Sequence, residues 1–342
     1  MEFSRIVSPP GFLGVVVKRH KNVIYWRLMK HLFLSAVLFA LPLAAQVKVT
    51  QGTDRILVDI DGKPFTAFFI GADNAKPYMH PLRTASGKIV TRSFPMETVE
   101  GEAKDHPHHR GLWFTHGDVN KLDFWANEKS QKGSAGGGKG FVVTKKVVDL
   151  KSGKKSGSLA VIFDWQDEKG KNLLTESRMV TFYSHPTDRI MDFDIKLTAV
   201  EPVSFNDTKE GTFAIRLATS LEEKHSGKMT NAEGKQGEKE VWGKRSPWVD
   251  YAGTLDGEPV GIAILDHPTN PRFPTYWHSR SYGLFAANAY GVRDFENDKS
   301  KDGKFEIAAG QTVRFRYRVI IHPGDNAAAD IAGEFKKWSA VK

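Results

Sequence analysis

Four histidines stand within eleven residues, in the run Asp105-His106-Pro107-His108-His109-Arg110-Gly111-Leu112-Trp113-Phe114-Thr115-His116. Imidazole titrates nearest neutrality of the side chains and is the commonest metal ligand, so the run is equipped for proton exchange or metal binding. His106 and His109, with His278 further along the chain, are candidate general acids. His106 and His108 would form a His-x-His metal pair if Pro107 holds the chain extended, with His116 or His278 completing the set. Arg110 adds a cation, and Trp113-Phe114 carry the run into a buried strand.

Two further segments offer matching chemistry. In Asn206-Asp207-Thr208-Lys209-Glu210-Gly211-Thr212-Phe213-Ala214-Ile215-Arg216, Glu210 is the candidate base and Lys209 a cation at a strand entrance. A strand over Thr212–Leu217 puts Thr212, Ala214 and Arg216 on one face, away from the apolar one. The second segment, from Leu265 to Asn288, holds three prolines within seven residues, which stiffen its loop. A strand after it would set Tyr276, His278, Arg280 and Tyr282 on one face, with Trp277, Ser279 and Ser281 opposite. We read His106, His109, Glu210 and His278 as catalytic. Arg110, Lys209, Arg216, Arg272, Tyr276, Arg280, Tyr282 and Asn288 are read as substrate-binding, and the three segments are expected to converge on one cleft.

The elements that must position these groups read as short strands. Arg55–Ile60 and Pro64–Ile70 flank Asp61-Gly62, a hairpin dipeptide. Strand patterns recur at Phe141–Leu150, Leu159–Trp165, Ser177–Tyr183 and Arg189–Leu197, and the clearest alternation is Thr312–Ile321. Helix is expected from Asp325 to Val341 and, more weakly, near Leu122–Lys129. Ser130–Gly140 reads as a flexible loop, and residues 222–246 as a long exposed loop beside the site. Strands at this spacing with little helix predict an all-β fold, a large antiparallel sandwich with a C-terminal helix.

Met29-Lys30-His31, the apolar run Leu32–Leu43 and Ala44-Ala45-Gln46 have the pattern of a secretory signal peptide. Its apolar core is too short to span a bilayer, which takes roughly 20 residues. Translation is expected to start at Met29, leaving residues 46–342 as a single domain in the periplasm or outside the cell, with no membrane insertion. Residues 1–45 carry Arg5, Lys18, Arg19, Lys21, Arg27 and Lys30 against Glu2. The remainder therefore has 43 basic and 39 acidic residues in place of 49 and 40. No basic stripe is left to track phosphates, which argues against nucleic acid. The chain has no cysteine, which excludes disulfides, thiolate metal sites and a cysteine nucleophile.

The motifs His106–Trp113, Asp207–Gly211 and Asp266-His267-Pro268 through Asn288 resemble the bacterial PmoA-like family, over about Pro64 to His322. The family label borrows the name of a methane monooxygenase subunit with several membrane-spanning helices, a body unlike this strand-rich chain. The strand pattern is similar to the galactose mutarotase-like supersandwich, a fold common among sugar-active proteins. The expected function is a secreted carbohydrate-active enzyme working on a sugar, keto-sugar or uronate by His/Glu acid–base chemistry, as an epimerase, lyase or glycoside-processing enzyme. That reading implies a small-molecule or oligosaccharide substrate and requires no cofactor. The alternatives are a copper- or zinc-dependent oxygenase or hydrolase, and a non-catalytic sugar-binding protein.

Overall fold

The computed structural model describes residues 46–341; the expected signal peptide and start site lie outside them. Among the described residues, the strands build two eight-stranded antiparallel sheets and a small two-stranded one. The first sheet runs in the order Val47–Gln51, Arg55–Ile60, Lys63–Phe69, Tyr78–His80, Leu112–His116, Gly211–Arg216, Leu284–Asn288, Tyr276–Ser279. The second runs Lys228–Asn231, Trp248–Leu255, Glu258–Asp266, Thr312–Pro323, Arg189–Ala199, Asn172–Tyr183, Ser156–Asp167, Gly140–Lys151.

Period-two patterning explains the packing. Along Arg189–Ala199, Met191, Phe193, Ile195 and Leu197 are buried while Asp192, Asp194 and Lys196 turn outward. Phe114 from the first sheet meets Trp165 and Phe315 from the second. Each such buried aromatic is worth about 1.5–3 kcal/mol relative to exposure. Asp61 and Gly62, with φ of 54° and 76°, turn the first hairpin in the left-handed region that a two-residue primed turn demands.

Both sheets also carry an apolar cluster on their outward faces. On the second sheet, Trp248, Leu265 and Ile320 are covered by Ile331 and Trp338 of the helix Ile331–Ser339. On the first, Tyr78, Trp113, Trp125, Ala214, Leu284 and Ala286 pack together.

Three expectations need correction. The C-terminal helix starts at Ile331, not Asp325, because Asp325 bonds the amides of Ala327 and Ala328 in a separate turn and Asp330 caps the helix. No helix forms at Leu122–Lys129: the Asp123 carboxylate takes the amides of Trp125 and Ala126 at 2.8 Å, a local bond that competes with helix. Residues 222–246 are not one loop, since they contain the strand Lys228–Asn231 and the short helix Glu238–Val241. Among the described residues, no helix is long and apolar enough to cross a membrane.

Candidate active site on the outer face of the first sheet

Strand register sets the floor of the site. Arg55 pairs with Phe69, Phe69 with Tyr78, Tyr78 with Trp113, Trp113 with Ala214, Ala214 with Ala286, and Ala286 with His278. Directly paired residues share a face, so these seven side chains form one row across seven strands. The two alanines leave depth above the middle of the row, and a second layer of rings fills it. His109 stacks on Trp113 at 5.3 Å, His106 on His109 at 4.7 Å and Tyr282 on His106 at 5.5 Å. Trp125 meets His109 edge-on.

The expected metal set does not assemble. Leu112, Phe114 and His116 alternate with Trp113 and Thr115, so His116 turns into the sandwich core against Phe205 and Tyr290. Its Nε2 bonds the Asn206 carbonyl at 2.7 Å. Four histidines close in sequence therefore become three in space. His106 has φ of 44°, and His109 N–H bonds the His106 carbonyl, so Pro107 sits in a turn and not in an extended His-x-His pair. His108 Nδ1 is taken by the Gln131 amide at 2.7 Å. Among the described residues, no group of three His, Asp or Glu side chains is placed to hold a metal.

Asp105 anchors the ring stack. Its carboxylate takes His106 Nδ1 at 2.6 Å and Arg216 Nη2 at 3.2 Å, and also pairs with Arg92. Both guanidiniums are buried, and Arg216 also lies 4.7 Å from the Tyr282 ring. Burial pushes the Asp105 carboxyl up, but Arg216, His106 and Arg92 outweigh it and hold it below the usual carboxylate range. Arg216 donates to His109 Nδ1 at 3.1 Å, which leaves the His109 proton on Nε2, a buried atom with no partner.

Three of the four histidines around the site are locked neutral. Desolvation drives His109 well down, His108 to about 2 and His278 to about 3, with neighbouring cations adding to the effect. His109 and His278 were expected as acids titrating near neutrality; here they are neutral hydrogen-bonding groups. Trp242 donates its indole N–H to His278 Nδ1 at 2.9 Å, so neutral His278 carries its proton on Nε2. His106 is the half-exposed member, and its Nδ1 faces the Asp105 carboxylate.

Glu210 completes the group. It is partly buried, and desolvation raises its carboxyl despite Lys209, 3.8 Å away, and despite His106, whose charge reaches it and also reaches His278. Asn288 fixes this loop by donating to the carbonyls of Thr208 and Lys209 at 3.0 and 2.8 Å. Its role is therefore to position Glu210. Arg280 pairs with Glu238 at 3.1 Å between the Trp242 and Tyr282 rings. The strand stops at Ser279, so Arg280 and Tyr282 belong to a turn closed at Gly283 and do not extend the strand face. Tyr276 bonds Glu296, and Arg272 donates to the carbonyls of Ala289, Gly303 and Lys304, so both brace the neighbouring loops away from the ring stack. Arg110 grips Glu128 through two bonds of 2.9 Å.

Asp105, Arg92, Trp125, Trp242 and Glu238 went unread in the sequence. Only Asp105 left a signal, as the acid directly preceding His106.

The fold and this site define an antiparallel β-sandwich with a histidine–carboxylate cluster on one outer face. Residues 55–336 match a family described as DUF6807, a family of unknown function, and the chain belongs to that family. This corrects the PmoA-like resemblance. No curated protein matches the chain in sequence. Among solved structures, an α-galactosidase from Lactobacillus brevis is similar at 11% identity, covering 82% of this chain and 40% of its own, with a TM-score of 0.37. The galactosidase domain of an α-galactosidase–sucrose kinase gives 9%, 81%, 42% and 0.44 in the same order. A galactose mutarotase-like protein from Clostridium acetobutylicum gives 9%, 81%, 98% and 0.39. The chain thus spans about two fifths of the α-galactosidases it matches. None of these similarities bears on the histidines, whose interest rests on geometry.

Proposed function

We propose that this chain is a carbohydrate-active enzyme that moves protons on a sugar, keto-sugar or uronate, with Glu210 and His106 as the exchanging pair. One observation carries the reading. A carboxyl raised by burial and an imidazole oriented by Asp105, both partly exposed, stand within electrostatic reach of each other. Beside them the partly exposed rings of Tyr282 and Trp242 offer surfaces for the apolar faces of a sugar. Glu210 takes a proton from the substrate, His106 returns one, and the neutral His278 Nε2–H is available to a developing oxyanion. Asp105 is held by two guanidiniums and an imidazole and is a poor nucleophile, which favours isomerisation or elimination over two-carboxylate hydrolysis.

Turnover assays on aldoses, keto-sugars and uronates test this reading. Glu210→Gln should lower turnover by roughly 100-fold or more while retaining binding. Binding without turnover of any of these would leave a sugar-binding protein. Activity lost to a chelator and restored by zinc or copper would overturn the reading. We further propose that the protein works in the periplasm or outside the cell, supported by the signal-like segment Met29–Gln46. A native N-terminus near Gln46, found by mass analysis, is the expected result.

A further inference from the structure

The register row does not end at the histidines. Beyond Trp113 it continues through Tyr78 and Phe69 to Arg55, and here the outer face opens into two cavities. One is about 360 Å³ and the other about 480 Å³, and both are lined by Arg110 and Pro95. Each falls in the range of small-molecule sites, roughly 300–1,000 Å³. The first is lined by Pro107, the residue after His106, so it lies next to that histidine in the chain. At about 4.8 Å per strand, the row from His278 to Arg55 spans roughly 29 Å, longer than any monosaccharide. A single sugar reacting at His106 and Glu210 would leave this half of the face unused.

The cavity walls define the chemistry of an occupant. Arg110 is neutralised by Glu128, and Arg55 by Asp54 through two bonds of 2.8 Å. Lys129 and Asp73 also line the first cavity, so its two cations, Arg110 and Lys129, face two carboxylates, Glu128 and Asp73, and the walls offer no net charge for a carboxylate or phosphate. What remains is a mixture of guanidinium N–H groups, carboxylate oxygens, the Asn74 amide and the Ser130 hydroxyl, beside apolar proline surface. Such walls suit the hydroxyls and carbon faces of a neutral sugar.

We propose that the substrate is a neutral oligosaccharide whose reacting unit lies against His106 and Glu210 and whose next unit fills the cavity between Pro107 and Glu128. This rests on the carbohydrate reading above and extends it to substrate length.

The test uses Glu210→Gln protein, to prevent turnover, with glucose, galactose and xylose and the di-, tri- and tetrasaccharides of each series. Binding is followed by calorimetry and tryptophan fluorescence. At least one series should gain tenfold or more in affinity on lengthening from one unit to two or three. Ala72→Trp, made from an exposed lip of the first cavity, should remove that gain while leaving monosaccharide affinity and Tm unchanged. Affinity independent of length, or a length gain that survives Ala72→Trp, overturns the subsite and leaves the proton-transfer reading standing. If no sugar of any length binds, both fall together.

Discussion

Asp105 holds His106 Nδ1 at 2.6 Å with the same carboxylate that pairs with the buried guanidiniums of Arg92 and Arg216. One acid thus orients the imidazole and pairs with both cations, Arg216 having Glu222 as a second partner at 4.0 Å. Asp105→Asn keeps the shape but removes the charge. Breaking a fully buried pair costs about 3–5 kcal/mol, and because Asp105 is 40% exposed, solvent screening should bring the loss below that range. Urea denaturation should show that loss, and turnover should fall as His106 loses its orienting partner. A variant with wild-type stability would show that Arg92 and Arg216 do not depend on Asp105.

Glu210 gives the pH dependence a direction. Burial raises its carboxyl above the ordinary value, so it becomes a competent base only above that raised pKa. The acid limb of the kcat/KM profile should lie above the usual glutamate range and be absent from the residual activity of Glu210→Gln. An acid limb unchanged in that variant would assign the titration to another group.

The Trp242–His278 bond should act through tautomer choice. Trp242→Phe removes the donor to Nδ1 and lets the proton of His278 occupy either nitrogen. We expect turnover to fall about 10-fold with little change in Tm, the scale of losing a partner that orients a functional imidazole. Nitrogen NMR of His278 should show a single Nε2–H tautomer in wild type and a mixture in the variant. A pure Nε2–H signal in both would deny Trp242 its positioning role.

The sandwich was legible because strand alternation is local: Arg189–Leu197 and Thr312–Ile321 display their buried faces without reference to anything else in the chain. The site was legible only in part, because its contacts are long-range. Asp105 and Arg216 are 111 residues apart, and Trp242 and His278 are 36 apart. Nothing in the residue types around Trp242 marks it as the partner of a histidine. The same limit explains the metal expectation, since spacing alone could not show that His116 lies on the opposite face of its strand. Arg272 and Tyr276 have the right chemistry for a ligand, but nearby carbonyls and Glu296 occupy them first.

Acid should unfold this protein earlier than carboxylate titration alone would. Burial lowers His80 and His116 to about 4, His278 to about 3 and His108 to about 2, and drives His109 well down. Below about pH 6.5 the unfolded chain protonates these rings while the folded chain does not, so the unfolded state binds more protons and stability falls with pH. Each ring contributes about 1.4 kcal/mol per pH unit until its own folded pKa is reached. His322 acts in the opposite sense: its pairing with Asp250 raises it against burial, so its contribution is full at low pH and is lost as pH rises through the folded pKa. One opposing ring cannot offset five. Urea midpoints should therefore drop steeply between pH 7 and pH 5, and His116→Gln, which removes one titrating ring, should flatten that slope. A midpoint constant from pH 7 to pH 5 would mean that these histidines take up protons in the folded protein.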